Sequence, residues 1–195
     1  MKRLYIKLSL VVAPILFIVS CGDISTEPEN PIGDAWNLFM EGSYEASRYE
    51  FASLTGTEGA RAYVGLGWSY LRLGNIVAAD TNFNMVSNIS GSENSRLANS
   101  GWTFVKWGLE EYSASIIKAN FVLVEDSSFT FRYDISVSAE DLILIQAYSY
   151  FHLAEYVDCI NRIRLLDSSF SANPTDQNIV EILLVKLEAL KNIYD

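Results

Sequence analysis

The sequence predicts an all-α fold: a short helical solenoid of about four helix pairs, closed by one further helix at the C-terminus. Three observations carry this. Apolar residues recur at helical spacing over most of 31–195. A register of small and aromatic residues repeats four times, aligned on Gly42, Gly74, Gly108 and Ala154. After Pro174 a last stretch carries Ile179, Leu183, Leu187 and Leu190 on one helical face.

The first element is not part of that fold. Lys2, Arg3 and Lys7 precede an apolar run, Leu8 to Val19, broken by Ser9. A span needs roughly 20 apolar residues, so the run is too short to cross a bilayer and reads as a secretory signal over 1–20. The adjoining Ile18-Val19-Ser20-Cys21 resembles the lipobox of bacterial lipoproteins. That resemblance implies cleavage before Cys21, acylation of its thiol (palmitate) and a lipid-anchored protein of the cell envelope. Gly22, rather than Asp, after the cysteine favours the outer membrane, facing the periplasm. Each acyl CH₂ buried in the bilayer contributes ~0.8 kcal/mol, so several chains hold a protein there. Gly22 to Asn30 is polar, contains Pro28 and reads as a flexible tether spanning 21–30 with the cysteine.

Composition bounds the body. The chain carries 14 Lys+Arg and 24 Asp+Glu, and removing 1–20 takes away three bases and no acid, leaving 11 against 24, or −13. Phosphate recognition needs a basic face, so this charge argues against a nucleic-acid partner. Cysteines occur at 21 and 159 alone, so acylation of one leaves no disulfide within the chain, and Cys159 reads as a small core residue.

Asn30-Pro31 opens the helical part as an N-cap followed by proline at the first helical position. Seven before each anchor lie Ala35, Gly67, Gly101 and Ala147, all small; six before lie Trp36, Trp68, Trp102 and Tyr148, all large aromatics. Five after lie Ser47, Ala79, Ser113 and Cys159, and nine after lie Phe51, Phe83, Ile117 and Ile163. The second copy reads Tyr63-x₂-Leu66-Gly67-x₂-Tyr70-x₃-Gly74-x-Ile76-x₂-Ala79-x₃-Phe83. This pattern resembles the tetratricopeptide repeat (TPR). The resemblance covers about 31–170 and implies a right-handed solenoid with repeats near 31–55, 60–88, 94–125 and 139–167. Anchors stand 32, 34 and 46 residues apart. Copy one has Asp34 where the family has Leu, and copy three has Ser100 and Glu110 at places that are usually apolar.

The last interval leaves an excess, which falls in Glu125–Val137. There Phe129, Phe131, Tyr133, Ile135 and Val137 alternate with polar residues, a period of two. With no second strand nearby, this predicts an extended stretch laying its odd side chains on the helices, ending at Ser138 as N-cap with Asp141 three residues on. Its place in the chain puts Trp102 or Tyr148 within reach. Asp-Ser-Ser-Phe occurs at 126–129 and again at 167–170, which predicts one turn used twice. The closing helix is expected over 176–193.

Candidate binding residues form a second stripe on each first helix: Trp36 and Phe39; Val64, Trp68 and Leu71; Trp102 and Val105; Leu144, Tyr148 and Phe151. In tetratricopeptide proteins such places line the concave groove. Each exposed ring forfeits ~1.5–3 kcal/mol, so something covers the ladder: neighbouring helices, the 125–138 segment, or an external partner. The resemblance implies a protein–protein interaction or assembly scaffold taking a peptide from another envelope protein. The alternative is a surface lipoprotein whose ladder stacks on a glycan or small ligand. No zinc spacing and no nucleophile–base motif is present, and His152 is the single histidine, so no catalytic residue, metal or cofactor is assigned.

Overall fold

A computed structural model describes residues 30–86 and 92–194; the signal segment, Cys21 and the tether to residue 29 lie outside the described residues. Among those described the chain is all-helical: α1 (Pro31–Met40), α2 (Tyr44–Ser53), α3 (Thr55–Glu58), α4 (Ala60–Arg72), α5 (Ile76–Asn84), α6 (Glu93–Gly108), α7 (Tyr112–Glu125), α8 (Ala139–His152), α9 (Tyr156–Leu166) and α10 (Ile179–Tyr194). None of these helices is long and apolar enough to cross a membrane.

Local chemistry sets the helix starts. The Asn30 side chain accepts from the Gly33 N–H at 3.3 Å, with Pro31 just inside the helix. Asn75 accepts from the Ala78 N–H and Ser92 from the Ser95 N–H, each at 3.1 Å. Asp141 accepts from the Ser138 backbone at 2.7 Å, the expected reciprocal cap of α8. Both Asp-Ser-Ser-Phe segments form the same turn: Asp126 accepts from the Ser128 N–H at 3.2 Å, and Asp167 from the Ser169 N–H at 3.0 Å. Lys186 and Ser169 hold the Asp167 carboxyl at about 2, well below the usual carboxylate range.

Successive helices pair (α1 with α2, α4 with α5, α6 with α7, α8 with α9), and α1, α4, α6, α8 and α10 also pack one on the next. The ends of α1, α4, α6 and α8 share one hydrogen-bonded turn. The N–H groups of Gly42, Gly74, Glu110 and Ala154 bond three residues back at 3.0 Å, and those of the succeeding residues bond five back at 2.9 Å. All four turn residues have positive φ, between 58° and 78°. This double bond is the Schellman closure of a helix, which needs one left-handed residue.

The shared turn corrects the register of the third copy. Its turn residue is Glu110, two positions beyond Gly108, so the intervals are 32, 36 and 44 residues. Ser113 is exposed and Ile117 is 64% exposed, whereas Ser115 and Ala119 are fully buried in the places expected for them. Ser115 donates to the Thr103 carbonyl at 2.9 Å, just as Ser47 donates to the Ala35 carbonyl at 2.9 Å, each twelve residues on. A glycine is not required at such a turn, so Gly108 is a false anchor for this copy. Glu110, out of place in the expected pattern, is explained by the same shift; Ser100 moves into the column of the apolar Ile32, Val64 and Leu144 and remains its polar member. Ser100 is buried and donates to the Leu97 carbonyl at 2.9 Å, and Glu110 is the turn.

Helix contacts then follow from side-chain size. Phe51, on α2, occupies the space a Cβ on Gly65 of α4 would need, its ring 2.4 Å from that position. Phe83, on α5, stands 2.4 Å from the Cβ positions of both Gly67 on α4 and Gly101 on α6. Counted from the corrected turns, Gly65 and Gly101 share one column and Phe51 and Phe83 another. At the third junction the same columns hold Ala119 and Ile145, small and large exchanged. The expected small-residue column of Ala35, Gly67, Gly101 and Ala147 is buried throughout.

Packing divides into two apolar clusters that meet on α8. One runs from Ile32 to Leu142; the other gathers Leu144, Ala147, Cys159, Ile160 and Ile163 with the inner face of α10. That face is Ile179, Leu183, Leu187 and Leu190, the residues predicted for it. Cys159 is buried, and burial pushes its thiol up to about 12, so it is a core residue in reactivity as well as position.

Candidate functional site

The corrected register rebuilds the aromatic ladder. Two residues along a helix is about 200° of rotation, so the shift moves the third rung to the opposite side of α6. The rungs become Trp36/Phe39, Trp68/Leu71, Phe104/Trp107 and Tyr148/Phe151. Their rings meet in part: Trp68 lies 6.5 Å from Phe104, and Trp107 stands edge-on to Tyr148 at 6.2 Å. Phe104 and Trp107 are absent from the expected ladder. The signal that finds them is the pair of small residues twelve apart: Ala35/Ser47, Gly67/Ala79, Thr103/Ser115, Ala147/Cys159.

Trp102 and Val105, expected on the ladder, lie away from it. The Trp102 indole N–H donates to Asp80 on α5 at 2.6 Å, and the Lys118 ammonium of α7 sits 3.6 Å above its ring. Burial, and then Lys106 nearby, lowers the Lys118 pKa below the usual lysine value. Lys106 itself pairs with Asp80 at 2.8 Å and Glu111 at 3.0 Å. Trp102 therefore joins the second helices of two pairs, and Val105 is fully buried.

The segment between α7 and α8 covers the ladder's first half. The Phe131 ring stacks on Trp68 at 4.1 Å and 14°, and stands edge-on to Trp36 and Phe39. Tyr133 stacks on Trp36 at 3.7 Å and 2°. Arg72 pairs with Asp134, and Arg132 with Glu93 at 2.5 Å. The rings reached are those of Trp36, Phe39 and Trp68, rather than Trp102 or Tyr148. Nor is the segment extended: it doubles back into a lobe. The Phe131 N–H donates to the Val137 carbonyl and the Ala139 N–H to the Phe129 carbonyl, both at 2.8 Å, with Thr130 and Ser138 bridged antiparallel. An extended strand laid on apolar helices leaves backbone groups unpaired, and doubling back lets the segment satisfy its own. Phe129, Phe131 and Val137 are buried as their spacing predicts, and Tyr133 is half-buried. Ile135, at the lobe's tip, is 81% exposed because the turn aims it outward.

Val64 is buried and lines a recess with Trp36 and Tyr133, and half-buried Leu71 borders another with Trp68, Phe104 and Val137. Of the bases near the stripe, Arg61 pairs with Glu58 at 2.9 Å.

The second half is open. A cleft of about 500 Å³ lies between α6, α8 and α10, where the two apolar clusters meet. Phe104, Trp107, Leu144, Tyr148 and Phe151 supply its apolar wall; Asp141, His152, Glu188 and Lys191 supply polar groups. Three of the expected ladder residues, Leu144, Tyr148 and Phe151, are brought together here. His152 stacks on Tyr112 at 4.5 Å and 3°. The Trp107 indole nitrogen is buried with no hydrogen-bond partner. Among the described residues no group of three His, Cys, Asp or Glu could hold a metal ion.

Compared with known proteins, the chain matches no family model and no curated protein.

Proposed function

We propose that this chain is a lipid-anchored, TPR-like solenoid of the cell envelope, working as an interaction or assembly module. Its binding seat is the open cleft on the ladder's second half. The cleft is the observation that carries the reading: aromatic columns covered by the chain's own lobe over α1 and α4 are only half-buried over α6 and α8, where they line an open cleft. A partner segment seated there would supply the apolar cover that the first half takes from within. Support for the repeat reading comes from the four identical Schellman turns and the alternation of helix pairs. The lipobox sequence supports the anchor.

Two measurements test this. Panels of peptides and of oligosaccharides are titrated against the full-length protein. Peptide binding is expected, and Tyr148→Ala, which removes a ring lining the cleft, should weaken it at least about 30-fold, the size of an aromatic hot spot. A second reading rests on Asp141, His152, Glu188 and Lys191 around the rings, a mixed wall that also suits a sugar. Oligosaccharides binding in a Tyr148-dependent way, with peptides inert, would replace the first reading by this one. For the anchor, Cys21→Ser should move the protein out of the membrane fraction or leave it as uncleaved precursor. A variant still processed and membrane-bound refutes acylation.

A further inference from the structure

The covered half of the ladder shows what its columns bind, and the repeat carries that information to the open half. Over α1 and α4, Tyr133 stacks on Trp36 and Phe131 on Trp68, two aromatic side chains spaced two residues apart. The next residue, Asp134, gives its carboxylate to Arg72. Counted from the shared turns, Tyr148 stands in the column of Trp36 and Trp68, and His152 in the column of Arg72. His152 and Lys191 both line the open cleft, beside the acids Asp141 and Glu188, of which Glu188 accepts from the Tyr148 hydroxyl at 3.3 Å. Resting on the binding reading above, we infer that the cleft takes a partner protein's segment of the form aromatic-x-aromatic-acid. Its rings pack against Phe104, Trp107 and Tyr148, and its carboxylate meets His152 and Lys191. The lobe 126–138 is thus an internal copy of the ligand, kept in the half of the ladder that the chain fills itself. Charge-assisted pairing gives the acid its part, since stacked rings alone discriminate little between neighbouring side chains.

The probe is a synthetic peptide reproducing residues 126–138, closed by a disulfide between added terminal cysteines, titrated against the full-length protein by calorimetry. It should bind more tightly than its scrambled form, and Tyr148→Ala in the protein should abolish the heat. Replacing the peptide's Asp134 by Asn should weaken binding about tenfold. Lys191→Glu in the protein should weaken the parent peptide similarly while leaving the Asn form unchanged, as expected of a coupled pair. Equal affinity of the Asp and Asn forms refutes the carboxylate seat. A parent peptide no better than the scrambled one, or one that binds regardless of Tyr148→Ala, overturns the inference. If peptides of other composition then bind in a Tyr148-dependent way, the broader reading stands without it. If no peptide binds, both fall.

Discussion

Phe131→Ala is expected to lower the unfolding free energy by about 3–5 kcal/mol, as for other large buried aromatics. Phe131 is fully buried although it lies in a connecting loop. Its ring stacks on Trp68 and meets Trp36, Phe39 and Tyr133 edge-on, so removing it opens a hole between α1 and α4. Two consequences separate this from an ordinary loop change. The midpoint of thermal unfolding followed by circular dichroism should fall by about 10 °C. Ile135→Ser, four residues on at the exposed tip, should leave it within a degree or so, because surface changes stay within about ±0.5 kcal/mol. If Phe131→Ala unfolds like the parent, the lobe is not part of the core and its rings do not cover the ladder.

Gly101→Ala is the second large effect, about 1–3 kcal/mol from a single added methyl. Its Cβ would stand 2.4 Å from Phe83 and 2.9 Å from Trp68. Phe83 has little room to swing away, because it is fully buried and also packs closely on Gly67 of α4. Trp68 is also fixed, its indole N–H donating to the Leu97 carbonyl at 2.8 Å. Urea denaturation checks the size. Combining Gly101→Ala with Phe83→Leu should lose at least about 1 kcal/mol less than the two single losses together, since the smaller side chain makes room. Gly56→Ala is the control: nothing lies near its Cβ, and alanine is the better helix former. Additive losses at Gly101 and Phe83 would show that the two do not meet.

Much of the scaffold is legible in local sequence. Asn30-Pro31, Ser138 with Asp141, and both Asp-Ser-Ser-Phe turns act within four residues, and each forms the structure its chemistry predicts. The closing helix shows its buried stripe because Ile179, Leu183, Leu187 and Leu190 keep one period against a single neighbouring surface. The small-residue column stays buried despite the two-position shift in copy three. Gly101 is small for the same reason as Gly65, to admit a phenylalanine from the preceding pair, and not for the reason of Gly67.

By itself, then, the sequence determined an all-helical chain, its helix pairs, its caps and the apolar faces those helices bury. Tertiary structure decided which aromatics stand on the ladder and which part of it is filled. A turn needs only one residue of positive φ, and Glu110 adopts it without a glycine to announce it. That two-residue difference turns Trp102 away and brings Phe104 and Trp107 in. The lobe's choice of Trp36 and Trp68 was equally invisible. It depends on backbone pairing between Phe131 and Val137 and on Arg72 meeting Asp134 across 62 positions of chain, and no local pattern records either.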